Sequence, residues 1–447
     1  MNLKQNLKKM IIPVLGLSLL FPSAGSAAEQ TPTVKTPAAD LRATLDQLLS
    51  EHYILAVSSM TKSFEGAKDA EALTKALDQN ALDMTPAIDS IYGEEGAAEF
   101  ERIFRGHNGY ADTFVQAAKN NDEAARQEAE KEVDEFVVEF STFLGKATEG
   151  KLPAEAAAKA VSLHEDQVIQ TFDHYVEGEY EEAYKSFREG YKHMFSISKA
   201  LSSAITAQMP EKFANSSSDT PAADLRSALN SLASEHFALA VMGMEKGYAQ
   251  SEDYDFITWA ENANTADFKA AIGSIYGEAG AQQFEKVWQT DHINAQGKIA
   301  AAELEGDKEA AEAARAQLDK FAKDFGGFLG AATDGNLPAA DAEAAVKAHE
   351  NQVLMAFDQY KAGNYEESAG TFREGFAAMF TIGEVLGNAI VTQMPDKFAE
   401  AAMPESMPKT GLGGASNPAE AATILWSVLG VMLAAGGVFS LRKKAVK

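Results

Sequence analysis

Residues 50–60 read SEHYILAVSSM, and residues 234–244 read SEHFALAVMGM. Each stretch sets a serine, a glutamate and a histidine at the head of an apolar run, in a chain with eight histidines and no cysteine. Around the first, Leu41, Leu45, Leu48, Leu49, His52, Leu55, Ala56 and Met60 recur at steps of three and four, which places them along one face of a helix. The same spacing surrounds the second, so the unit that folds is present twice.

Working outward, the duplication covers most of the chain. TPAADLR occurs at 36–42 and 220–226, IYGE at 91–94 and 275–278, FREG at 187–190 and 372–375, and QMP-x-KF at 208–213 and 393–398. The offset is 184 residues at first and 185 later, so the second copy carries one extra residue, which we place just before His107 in the alignment of the copies. A period this long means duplicated domains rather than a solenoid of short repeats. Strand-like alternation is nearly absent, and Gly, Asn, Asp and Pro punctuate helical stretches predicted near 38–65, 70–91, 95–119, 122–148, 154–177 and 180–209 of the first copy. The expected fold is all-α, with two tandem homologous helical bundles at 36–213 and 220–398. Residues 214–219, ANSSSD, have the composition of a linker, and each copy is expected to fold alone.

The ends have their own chemistry. Lys4, Lys8 and Lys9 precede a short apolar run and then small residues through Ala27 and Ala28, the layout of a secretory signal peptide over 1–28. Residues 399–420 form a Gly/Ser/Asn/Pro-containing linker that includes MPKTG at 407–411. A nearly uncharged stretch at 421–441 is long enough to span a bilayer, and the basic tail 442–447 follows it. MPKTG, spacer, apolar span and basic tail resemble the sorting signal of Gram-positive cell-wall proteins, with Met407 where that family usually has leucine. The resemblance implies cleavage by sortase between Thr410 and Gly411 and joining to peptidoglycan. It implies export to the wall, with membrane contact only through the C-terminal span before sorting. The repeated pattern LR-x7-SEH, IYGE, H-x-x-Q, FREG and QMP-x-KF is similar to an uncharacterised secreted helical domain of bacteria.

Composition narrows the chemistry. The formal net charge is −27, and about −33 once the leader and tail, each net +3, are set aside; such a surface repels nucleic acid. Without cysteine there is no disulfide, thiolate ligand or cysteine nucleophile. No nucleophile elbow, phosphate loop or dinucleotide fingerprint is present, and an enzyme is not expected. The carboxylates fall mostly on polar helix faces, and Arg188 and Arg373 of the FREG motifs read as salt bridges that fix register.

The histidines carry the functional expectation. The copies pair His52 with His236, His107 with His292, and His164 with His349; His174 and His193 are unmatched and read as surface or helix-face residues. Each matched histidine stands on an apolar face, so two readings follow. Either the imidazoles are packed core residues, or the three of each copy converge on one metal ion or haem group, with copper, zinc or haem as candidate cofactors. Gln167 and Gln352 would then stand beside the ligands, and the matched Met60, Met244, Met194 and Met379 could offer thioethers. The competing function is an adhesin or spacer presenting a helical face to an extracellular protein partner.

Overall fold

Thr36 and Thr220 open the first helix of each copy in the same way. Each threonine is extended, and its hydroxyl accepts a hydrogen bond from the backbone N–H three residues on, at 3.1 Å, while proline takes the first helical position. In the computed structural model, which describes residues 31–399, α1 runs Pro37–Glu65 and α7 runs Pro221–Ala249. Gly66 closes α1 in the left-handed conformation, as Gln250 does for α7.

The first copy continues through α2 (Ala70–Asn108), α3 (Tyr110–Asn120), α4 (Glu123–Ala147), α5 (Ala154–Val176) and α6 (Tyr180–Gln208). The second continues through α8 (Tyr254–Trp288), α9 (Asn294–Glu305), α10 (Lys308–Ala332), α11 (Ala339–Lys361) and α12 (Tyr365–Gln393). Among the described residues there is no strand. The breaks fall close to the predicted ones, including the bend in α2 at Gly93 (φ 78°), which recurs in α8 at Gly277 (φ 76°). One difference is that α2 runs on past Gly93 to Asn108 before α3 begins. Helix α12 is long and apolar enough to cross a membrane by length and composition, but half of its most apolar window is buried in this body. The leader, Thr410, Gly411 and the span at 421–441 lie outside the described residues.

The extra residue of the second copy has a visible home. Between α8 and α9 the chain makes a π turn over Gln289–Ile293, which has no counterpart in the first copy. A π turn absorbs one residue without breaking the helix. The register on both sides is therefore kept.

Helix α1 is not merely amphipathic. Every residue from Ser50 to Lys62 is buried, so the helix is enclosed on all sides. One face meets its own bundle and the other meets the second copy. Residues of both copies share one apolar core, from Tyr53 and Tyr191 to Phe237 and Phe376. Within each copy the glycine of FREG lets the last helix approach the first closely: a Cβ on Gly190 would stand 2.2 Å from the Tyr53 hydroxyl oxygen, and one on Gly375 2.2 Å from the Phe237 ring.

Polar contacts between copies come in reciprocal pairs. Arg42 reaches Asp224 and Arg226 reaches Asp40, each at 2.6 Å. Arg42 also donates to the Ser218 carbonyl, as Arg226 does to that of Val34. Arg188 forks onto Glu235 at 2.8 and 3.0 Å, and Arg373 onto Glu51 at 3.0 Å for both bonds. The FREG arginines are thus salt-bridged as expected, with the partner in the other copy. The segment 214–219 is stitched down as well, since Ser218 is buried and Ser216 caps the Ala38 N–H. This interface qualifies the reading of two separately folding domains on a linker: the described residues form one compact unit.

Two outcomes test this packing. Gly190→Ala and Gly375→Ala each force a ring to move in a filled core and should lower stability by about 1–3 kcal/mol in denaturant unfolding. Asp46 is fully buried, its Oδ2 accepting from Ser227 at 2.8 Å and its Oδ1 without a partner, and burial pushes its carboxyl up to about 7. A folded-state pKa above the unfolded value gives stability that is complete in acid and lost as pH rises through 7. The matched residue of the second copy is Asn230. Asp46→Asn should therefore remove a decline on the order of 4 kcal/mol between pH 4 and pH 8, read from unfolding curves across pH.

Candidate metal centre

Three helices of each bundle supply one imidazole each. In the first copy α1 brings His52, the end of α2 brings His107, and α5 brings His164; in the second, α7, the π turn and α11 bring His236, His292 and His349. All six are buried. One ring nitrogen from each histidine of a copy lies within 4.8 Å of the other two. Ring centroids stand 5.2, 5.6 and 6.2 Å apart in the first copy and 4.8, 5.3 and 5.9 Å in the second. Nitrogens sharing a tetrahedral ion sit about 3.3 Å apart, so small side-chain adjustments complete such a site. The matched histidines the sequence singled out do converge.

The π turn explains how the second copy keeps this geometry. His107 stacks on Phe136 at 4.4 Å and 12°, and His292 on Phe321 at 4.4 Å and 14°. The inserted residue changes the helix path just ahead of His292 and leaves the ring against the same neighbour.

A carboxylate completes each cluster. Glu165 lies 3.1 Å from His107 Nε2 and 3.7 Å from His164 Nε2, and Glu350 lies 2.8 Å from His292 Nδ1 and 3.8 Å from His349 Nε2. In the second copy His292 directs Nδ1 to Glu350 and Nε2 to His236 Nε2, 2.8 Å away. An imidazole that donates one N–H to a carboxylate and offers the other nitrogen to an ion is a frequent arrangement at metal sites. In the first copy the His107 ring is turned so that Nδ1 donates to the Phe104 carbonyl at 3.2 Å and Nε2 faces Glu165.

Burial keeps lone pairs available on four of the six rings. Burial drives His52 and His236 well below the ordinary imidazole value and brings His164 and His349 to about 4, so these rings are neutral at neutral pH. Burial also pushes His107 down, but the charge of Glu165 and the bonds to Glu165 and Phe104 outweigh it and leave the ring above the usual value. Neither nitrogen of His52 or His349 has a hydrogen-bond partner, and the same holds for His164 Nδ1. Buried and unpaired, such groups each cost about 1–3 kcal/mol, which an ion with a bound water would offset.

Beside the first cluster is a cavity of about 30 Å3 lined by the three imidazoles, Met60, Asn108, Glu165 and apolar side chains. That is room for an ion and one or two waters, not for a porphyrin, and the haem alternative falls on size. In the second copy Trp288 and the buried Gln296 stand where the first has Phe104 and Ala111, and Gln296 reaches Glu350 at 3.4 Å.

The remaining expectations divide. Met60, Met194, Met244 and Met379 all belong to the shared apolar core, and Met60 also lines the cavity. Gln167 does not line the cavity, and the role foreseen for Gln167 and Gln352 belongs to Glu165 and Glu350 instead. The signal for them was the His-Glu dipeptide, repeated at 164–165 and 349–350. His174 pairs with Glu179 at the surface, and His193 is half-buried and donates to the Ala160 carbonyl. The chain matched no protein-family model, no curated protein and no solved structure.

Glu165→Gln and Glu350→Gln keep shape but remove the charge that orients and balances the imidazoles. Each should weaken metal binding at its own copy by about 10- to 100-fold, measured by competition with a chromophoric chelator, with helicity unchanged.

Proposed function

We propose that this is an exported, wall-anchored protein whose two histidine clusters each hold one transition-metal ion, for binding, storage or relay rather than turnover. The observation that carries the reading is the repetition of a buried three-imidazole, one-carboxylate cluster across an insertion that the π turn absorbs. Packing alone places no demand on the position of imidazole nitrogens. An apolar side chain at His52 would avoid two unpaired nitrogens, yet both copies keep histidine there.

Nitrogen donors with one carboxylate suit zinc or iron better than Cu(I), which prefers sulfur. In a zinc or iron site His52, His107 and His164, or His236, His292 and His349, would be the ligands, and Glu165 or Glu350 would hold a ligand N–H or join the donor set. The anchoring half of the proposal rests on the leader and on the MPKTG motif with its span and basic tail.

The test is elemental analysis of the full chain purified without chelating resin. Two ions per chain are expected, one in His52→Ala, and none in the His52→Ala, His236→Ala double variant. A metal-free protein that takes up neither zinc nor iron on titration overturns the metal reading. For the anchor, Thr410→Ala should leave the chain in the membrane fraction rather than released with wall fragments on muralytic digestion.

A further inference from the structure

The reciprocal contacts between copies fail at the end of α7 in a way that opens space. At the end of α7 the buried Lys246 ammonium lies 2.7 Å from Asp253, and Tyr184 of the first copy donates its hydroxyl to the same carboxylate at 2.8 Å. The three positions matched to these are Lys62, Asp69 and Ala369. Without the phenol, Lys62 stands 3.6 Å from Asp69, beyond hydrogen-bond reach, and neither side chain has another hydrogen-bond partner among the described residues. Both are more than nine-tenths buried, Lys62 at 7% and Asp69 at 6% exposure.

Ala369 instead borders a cavity of about 50 Å3 between the copies. Lys62, Asp69, Glu245, Tyr360 and Ser368 also line it, with apolar walls from Ile54, Leu55 and Phe372. Glu245 replaces the Thr61 of the first copy, accepts from Ser368 at 3.4 Å, and is pushed up to about 7 by burial. Burial also presses Lys62 toward neutrality, but Asp69, Tyr360 and Glu245 outweigh it and keep the ammonium charged.

A guest here must accept from Lys62 and donate to Asp69, as Tyr184 donates to Asp253 in the closed half. It must carry no net charge, since the cavity already balances Lys62 and Lys246, which also lines it, against Asp69 and Glu245. The space matches roughly three to five waters, or a molecule of about five heavy atoms. We propose that this cavity binds a small zwitterion of the α-amino acid class, with its carboxylate on Lys62 and its ammonium between Asp69 and Glu245. Glycine is the smallest member and the appropriate probe.

Ala369→Tyr tests the site by copying the closed half. Titration calorimetry on the full chain should show saturable glycine binding, with acetate and methylammonium each at least tenfold weaker. Glycine should also raise the melting temperature. Ala369→Tyr and Lys62→Met should both lose the binding while their metal content stays that of the parent chain, which reports an intact fold. The proposal is overturned if glycine does not bind, if binding survives in either variant, or if acetate alone binds as tightly. Failure here leaves the histidine clusters untouched, because no residue is shared between the two sites.

Discussion

The fork between Arg373 and Glu51, with its counterpart between Arg188 and Glu235, is the interaction on which the arrangement depends. Glu51 and Glu235 are buried at 2% and 1% exposure. Removing an arginine would leave a buried carboxylate uncompensated, at a cost of about 3–5 kcal/mol. The pair also fixes rotation. Because Glu51 points to the other copy, His52, one residue on, is turned toward its own bundle. The neighbouring Ser50 returns its hydroxyl to the Asp46 carbonyl, as Ser234 does to that of Asn230. The three residues of the SEH motif therefore serve helix, interface and cluster in turn.

Much of this was legible in the chain. Helical periodicity and the Gly, Asn, Asp and Pro breaks located most helix ends to within a few residues, and pairing the copies isolated the six histidines that converge. What periodicity could not supply was the second face of α1. Leu41, Leu45 and Leu48 describe one apolar side, whereas the buried Ser58, Thr61 and Lys62 face the cavity lined by both copies. A polar residue buried across an interface carries no periodic signature. Glu165 escaped notice for a related reason: adjacent residues on a helix point about 100° apart, and only the long arm of glutamate brings its oxygens back to the imidazoles.

Duplication also shows what the fold tolerates. The insertion ahead of His292 was accepted where a helix could widen by a residue, and the ring stayed against Phe321. Substitutions at the interface were freer, as Asp46 against Asn230 and Tyr184 against Ala369 show. The histidine clusters are alike in both halves, while the region around Lys62 and Lys246 differs.

The reciprocity of the contacts between copies has a historical meaning. In a self-complementary interface, residue i of one subunit meets j of the other and j meets i, which is what Arg42 with Asp224 and Arg226 with Asp40 do. A single ancestral copy could make these contacts only with a second molecule of itself. The present chain is in that sense a homodimer whose subunits have been fused through residues 214–219. Fusion releases the two halves from identity, and only then can one side keep a tyrosine plug while the other opens.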